Sequence, residues 1–308
     1  MVSKNTWLGI GCGVIAGALW GVVFLAPALA RSFTPPQLAA GRYLAYGLIA
    51  ALLLAPSWRR VAAKLSGVEW RALAWLSLWG NIIYFVLLAR AVQAGGIAMT
   101  SLIVGLLPVT VTIVGSRERN AVPFVQLVPS LLLSAAGIAC IGWQSLAGST
   151  QGSLVGVLCA IGALASWTIY AVQNSRWLAR IDHVSSHEWS LLTGVVTGAQ
   201  ALLLAVPAFL FARDSHAQPE WLYFAGVVSV VALCGSILGN AFWNRASRLL
   251  PLTMTGQMIL FETLFALLYG FVWEQRLPTF AEGAAILLLV ASVLSCTAAH
   301  RVGVAQPA

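Results

Sequence analysis

Apolar residues fall into ten runs along the chain, parted by short polar stretches: Trp7 to Ala30, Leu38 to Leu54, Leu73 to Ala91, Ile97 to Gly115, Val122 to Trp143, Leu154 to Val172, Trp189 to Phe211, Trp221 to Trp243, Leu252 to Trp273 and Phe280 to Thr297. Each holds roughly the 17 to 25 residues that cross a bilayer as helix. Alternation with period 2 is absent, and a segment in lipid has to satisfy its own backbone, so the pattern predicts helices rather than strands. The predicted fold class is an all-α integral membrane protein of ten transmembrane helices. Lys4, the apolar stretch after it and Ala28-Leu29-Ala30 mimic a secretory signal. That stretch is longer than the usual apolar core of roughly 7 to 15 residues, so the first run reads as a retained span.

The polar positions inside the runs repeat. Gly80 to Pro108 returns 155 residues later as Gly235 to Thr263, with Gly80, Ile82, Arg90, Ala91, Met99 and Thr100 identical. The register holds across a helix, a turn and another helix, as a duplicated unit requires. Ala16 to Trp20 is likewise echoed by Ala163 to Trp167. Two five-helix units follow, residues 1–146 and 152–308. Since five is odd, the second enters the membrane from the opposite side, and the repeats are inverted. Inverted repeats recur in secondary transporters, with the cargo site at mid-membrane where they meet. The offset is 147 at Trp20 and Trp167 but 155 at Arg90 and Arg245, which places an insertion near 212–220.

Several faces inside the runs are neither lipid-like nor plain. Gly9, Gly13, Gly17 and Gly21 form a stripe where another backbone can approach closely, and the stripe serves contacts within one chain and between chains equally well, so the oligomeric state stays open. Beside it, Trp20 and Phe24 share a face, which reads either as buried packing or as the wall of a cavity. Trp167, Tyr170 and Asn174 make an aromatic, hydrogen-bonding stripe that should point inward. Asn81 and Tyr84 in the third run, and Asn240 and Trp243 in the eighth, need polar partners or a hydrated cavity. Arg42, one or two turns into its run, reads as an end anchor that snorkels outward. Arg90 and Arg245 read as headgroup or carbonyl ligands. Glu262 is the only acid deep in a run; it reads either as a protonatable coupling residue or as a structural acid satisfied by Gln257, Thr263 or a backbone amide.

Composition agrees. The chain is 60% hydrophobic and only 8% charged, far from a soluble domain. Its net charge of +8 is explained by topology. With the amino terminus in the cytoplasm, Lys4, Arg59, Arg60, Lys64, Arg71, Arg117, Arg119, Arg176, Arg180, Arg245, Arg248 and Arg301 lie on one side and Arg31, Arg42, Arg90, Arg213 and Arg276 on the other. Both termini are therefore expected inside. The basic residues are scattered over short loops, which excludes a nucleic-acid partner. Cys12, Cys140, Cys159, Cys234 and Cys296 lie in apolar runs without metal-ligand spacing, and the four histidines lie in loops or at ends; no metal, cofactor or catalytic residue is expected.

These residues resemble the drug/metabolite transporter superfamily with two EamA-type repeats, and within it the bacterial aromatic amino acid exporters. The Trp-containing first spans match at Ala16 to Gly21 and Ala163 to Thr168, and the fourth-span ending at Leu107-Pro108-Val109, Gly115 and Glu118. The second-half ending matches only at Phe261-Glu262 and Glu274, with Thr263 and Trp273 in place of the family's Pro and Gly. The resemblance implies a basket-shaped carrier of the bacterial inner membrane, with spans 1, 3, 4, 6, 8 and 9 around a central cavity and spans 5 and 10 outside. It also implies that Met99, Ile103, Gln257 and Phe261 complete the wall. Apolar and Met-lined walls with few fixed charges suit a zwitterion or neutral solute, and no basic residue is expected at depth. The reading is a secondary transporter that exports amino acids, aromatic and other neutral ones, by alternating access, its partners being that small solute and the lipid bilayer. Export of drugs or other metabolites is the alternative. An intramembrane enzyme would need clustered carboxylates or histidines, and a channel would need a polar pore-lining series.

Overall fold

The computed structural model describes residues 4–115, 122–148, 154–211, 216–273 and 275–304. Arg117, Glu118, Arg119, Arg213 and Glu274 lie outside the described residues, as do the side chains of Lys4, Trp143, His300 and Arg301; the segment 212–220 is described from His216 onward. Every regular element among the described residues is helical. The helices are α1 (Lys4–Gly21), α2 (Pro35–Leu54), α3 (Gly67–Ser77), α4 (Tyr84–Val104), α5 (Leu107–Gly115), α6 (Phe124–Gly148), α7 (Leu154–Arg180), α8 (Ser186–Leu210), α9 (Gln218–Val231), α10 (Asn240–Leu249), α11 (Leu252–Met258), α12 (Leu260–Trp273) and α13 (Phe280–Val304). Short helical turns fill the joints.

Among the described residues, seven continuous helical stretches are long and apolar enough to cross a membrane: Asn5–Leu29, Pro35–Ala62, Gly67–Ile97, Leu154–Arg180, Ser186–Leu210, Gln218–Leu249 and Met254–Trp273. Phe124–Gly137 and Phe280–Cys296 are shorter apolar helices. Gly96 (φ 82°, ψ 169°) leaves the helical region inside α4, so α4 is two helices meeting at a kink, the first closing the third apolar run and the second opening the fourth at Ile97. A φ in that region is open to glycine without strain. The outward side chains of these helices are apolar, as at Leu203, Leu210 and Leu294, which suits lipid rather than water.

Helix starts are set by polar caps that lie outside the apolar runs. Thr34 with Gln37, Ser66 with Glu69 and Ser185 with Glu188 each form a reciprocal capping box. Helices α3 and α8 therefore begin ahead of the runs at Leu73 and Trp189. The caps also bind one another across the chain. His183 Nε2 lies 3.0 Å from Glu69 Oε1, Arg60 Nη2 lies 3.1 Å from Glu188 Oε1, and Lys64 Nζ donates to the His183 carbonyl. The charges between the second and third runs thus tie two distant segments together as well as marking a membrane face.

Close backbone contact holds the core. Helix α2 packs along α8, where Gly47 and Gly198 face each other with no room for a Cβ on either. Helix α6 packs on α13, with the Ser134 and Ser292 hydroxyls 2.7 Å apart. Helix α7 packs on α4, and α1 on α10 and α12. In that last contact the glycine stripe faces inward: Gly9 meets Leu250, Gly13 meets Met258, Gly17 meets Phe261 and Glu262, and Gly21 meets Phe265 and Ala266. A Cβ on Gly17 would lie 2.5 Å from Phe261 Cβ and 2.8 Å from the Glu262 nitrogen, so the partner backbone would have to shift. Gly17→Val is expected to cost ~1–3 kcal/mol or more through overpacking, read as a lower melting temperature in detergent. Gly11→Ala, with nothing within 4 Å, is the neutral control.

Candidate functional site

A small chamber of about 20 Å³ lies at the meeting of six helices, room for only about one or two waters. Helices α1 and α7 supply Trp20, Trp167 and Tyr170; α2 supplies Arg42 and Tyr43; Asn81, Tyr84 and Asn240 enter from the two helices that carry the repeated motif, and Glu262 from α12. Three indoles form one wall. The Trp20 and Trp167 rings meet edge to face with centroids 5.4 Å apart, and Trp243 stands 5.1 Å from the first and 5.4 Å from the second. Such pairs contribute roughly 0.5–1.5 kcal/mol each beyond the area they bury.

The backbone beside this wall is irregular at two matching places. Leu78–Ile83 and Ala232–Gly239 are π-helical, and they coincide with the start of the repeated motif at Gly80 and Gly235. Wide turns of this kind loosen the regular carbonyl pairing and mark functional places in helices. Here each gives a carbonyl to a side chain of a crossing helix. Trp20 Nε1 donates to the Gly235 carbonyl at 2.8 Å, and Ser166 Oγ to the Trp79 carbonyl at 2.6 Å. The two glycines are identical for a steric reason. The Tyr170 ring lies directly on Gly80, and Val23 and Arg42 lie on Gly235, so a side chain at either would enter the chamber.

Arg42 overturns the end-anchor reading. It is only 5% exposed and lines the chamber, so a basic residue does stand at depth. Its guanidinium lies 4.4 Å over the Phe85 ring and 5.0 Å over Tyr43, and Nε donates to Ser236 Oγ at 3.1 Å. Nη1 has no hydrogen-bond partner. The sequence did hold a signal: Arg42, Tyr43 and Tyr46 put a cation and two phenols within one turn, more than a snorkelling anchor needs. Glu262, 5% exposed, also has different neighbours from those expected: it shares the chamber with Tyr84 and Arg42, whereas Gln257 accepts from Ser292.

Of the residues singled out from sequence, Trp20, Asn81, Tyr84, Trp167, Tyr170, Asn240 and Glu262 line the chamber, and Trp243 backs its indole wall. Asn81 is also tied to Thr197 at 2.9 Å. Others stand elsewhere. Asn174 donates to Asn244 at 2.9 Å and accepts from the Trp189 indole at 3.0 Å, below the chamber on the same helix face. Phe24 is fully buried outside the lining, Met99 lies against Gly156, Phe261 packs on Gly17, Gln257 accepts from Ser292 Oγ at 3.2 Å and Ile103 is half-buried away from the lining. Arg42, Tyr43, Val23 and Gly80 are lining residues that sequence reasoning did not select. Arg90 and Arg245 are exposed, as expected of residues near span ends.

Comparison with known proteins bears on this arrangement. Residues 154–297 match the EamA-like transporter family. Over 301 residues the chain is 29% identical to the inner membrane protein YtfF of Escherichia coli (strain K12), covering 93% of this chain and 94% of that one. It is 25% identical to the uncharacterized transporter YoaV of Bacillus subtilis (strain 168), over 92% and 93% of the two chains. An uncharacterized transporter of Archaeoglobus fulgidus is 24% identical, over 87% and 89%. A solved structure titled only as the crystal structure of a protein superposes with a TM-score of 0.72 and 16% identity, over 98% of this chain and 100% of that one, which speaks for the fold alone.

Proposed function

We propose that this chain is a membrane transporter of the drug/metabolite superfamily, as the match of residues 154–297 to the EamA-like transporter family and the similarity to YtfF support, and that its cargo is amino acids, aromatic and other neutral ones, exported by alternating access. The chamber carries this reading. It joins a wall of indoles and phenols, suited to a bulky apolar side chain, to one cation and one acid, suited to a solute of no net charge. At about 20 Å³ it is far smaller than the roughly 300 Å³ at which pockets begin to enclose small ligands, so cargo enters only when the lining helices part. Parting first on one side and then on the other is what alternating access requires.

Two units, residues 1–146 and 152–308, inverted about an axis in the membrane plane, supply that motion in this reading. The matched π segments, and the pairing of α2 with α8 and of α6 with α13, support it, because a pseudo-twofold axis brings equivalent helices together. The bacterial inner membrane, with both termini in the cytoplasm, is the proposed location, supported by the basic-residue asymmetry and by the name of the Escherichia coli relative. Single cysteines in the loops near Arg59 and Arg180 are expected to react with an impermeant thiol reagent from the same side.

Proteoliposomes given radiolabelled Trp, Phe, Met and Thr and, separately, a cationic dye provide the test. Flux of the amino acids is expected. Flux of the dye alone would make the protein a drug exporter, and flux of neither would reject the cargo while leaving the fold untouched.

A further inference from the structure

We infer that Arg42 and Glu262 read the two ends of one zwitterion, the cargo carboxylate on the Arg42 guanidinium and the cargo ammonium on the Glu262 carboxylate. This rests on the chamber being the cargo site. A guanidinium does not deprotonate in proteins, so Arg42 is a permanent charge held out of water. Burying a charge is costly unless partners compensate. The Phe85 and Tyr43 faces offset part of that, and Ser236 satisfies Nε. Nη1 is left over, and among the described residues Arg42 makes no ion pair. A planar fork with a spare donor suits a carboxylate, which can take two parallel hydrogen bonds from it.

Glu262 lines the same chamber. Its carboxyl stands there beside Tyr84, with acceptor capacity on both oxygens for an ammonium. The two charges share the chamber without touching, so a molecule with an acid at one end and an amine at the other fills the gap and neutralises both. Neither end alone does so: a plain amine leaves Arg42 unmatched, and a plain carboxylic acid leaves Glu262 unmatched. The indoles of Trp20 and Trp167 and the ring of Tyr170 remain for the side chain. Arg42 and Glu262 also come from opposite halves of the chain, so the bound zwitterion would draw the halves together around itself.

The test is competition against labelled Phe in proteoliposomes by phenethylamine, which lacks the carboxylate, and by 3-phenylpropionate, which lacks the ammonium. Wild-type protein is expected to move Phe and to ignore both analogues. Arg42→Gln is expected to lose at least about tenfold in Phe flux and to gain inhibition by phenethylamine, a tenfold change being ~1.4 kcal/mol. Glu262→Gln is expected to lose Phe flux and to gain inhibition by 3-phenylpropionate. Arg42→Lys, which keeps the charge but not the fork, is expected to fall between. Melting temperature and monodispersity check the fold of each variant, and the Glu262 arm stands if Arg42→Gln does not fold. Folded variants that keep the wild-type discrimination, or lose Phe and both analogues alike, overturn the assignment while the cargo reading stands. A wild type that moves no amino acid overturns both.

Discussion

Trp167→Ala is expected to abolish most amino acid flux, at least tenfold in initial rate, while the protein reaches the membrane in near-normal amounts. Trp167 packs against both other indoles of the wall and against two of its phenols. Its ring centroid lies 5.4 Å from Trp20, 5.4 Å from Trp243, 5.6 Å from Tyr170 and 6.3 Å from Tyr84. Truncating a buried Trp to Ala costs ~3–5 kcal/mol where the residue serves only as core. A wall that cargo must lean on behaves otherwise, because the space left by the ring joins a chamber that has to widen in any case. Stability then falls less than transport. Trp167→Phe, which keeps a ring but not the indole's width, is expected to restore part of the flux. Initial rates in proteoliposomes, set beside quantitative blots of the membrane fraction, check this. Loss of the protein from the membrane would make Trp167 a core residue instead.

Much of this was legible along the chain, because lipid imposes a strict pattern: runs of apolar residues long enough to span, and polar residues inside them only where something answers them. Trp20, Trp167, Asn81, Tyr84, Asn240 and Glu262 broke that pattern and do line the chamber. What failed to read through depends on depth and phase. Asn174 was placed on the correct face of α7, but seven residues beyond Trp167 is roughly 10 Å farther along the axis, where Asn244 and Trp189 satisfy it. The two π segments insert extra backbone into α-helical counting, so faces drawn through them with a period of 3.6 drift. Gln257 stands five residues before Glu262 on the same helical stretch, a spacing that sets it on a different face, where it is buried and accepts from Ser292. From sequence Arg42 reads as an anchor because a cation near a span end snorkels more often than it buries, and the aromatic faces of Tyr43 and Phe85 that reverse the balance come from tertiary packing. The repeat itself was visible as identical residues, and the reason for one identity, the pressure of side chains on Gly80 and Gly235, needed coordinates.

Glu262→Gln is expected to uncouple transport from a proton gradient. A carrier that binds an ammonium on Glu262 has to return across the membrane once the cargo has left. Returning with a bare carboxylate in low dielectric costs roughly 2.5 to 3.5 kcal/mol or more, whereas a proton taken up on the far side removes the charge. Each cycle would then exchange one cargo for one proton. The other ionisable groups around Glu262 are Arg42, permanently charged, and the phenols of Tyr43, Tyr84 and Tyr170, whose ordinary range lies near 10, so no other chamber group can take that part near neutral pH. One proton moving down one pH unit supplies ~1.4 kcal/mol, which sets a ceiling of about tenfold accumulation per unit. Liposomes with an acidic lumen should therefore concentrate labelled Phe through the wild-type protein, and through Glu262→Gln the residual flux should only equilibrate it. Equal accumulation by both proteins would make Glu262 a fixed binding acid, and the energy for export would have to come from the cargo gradient alone.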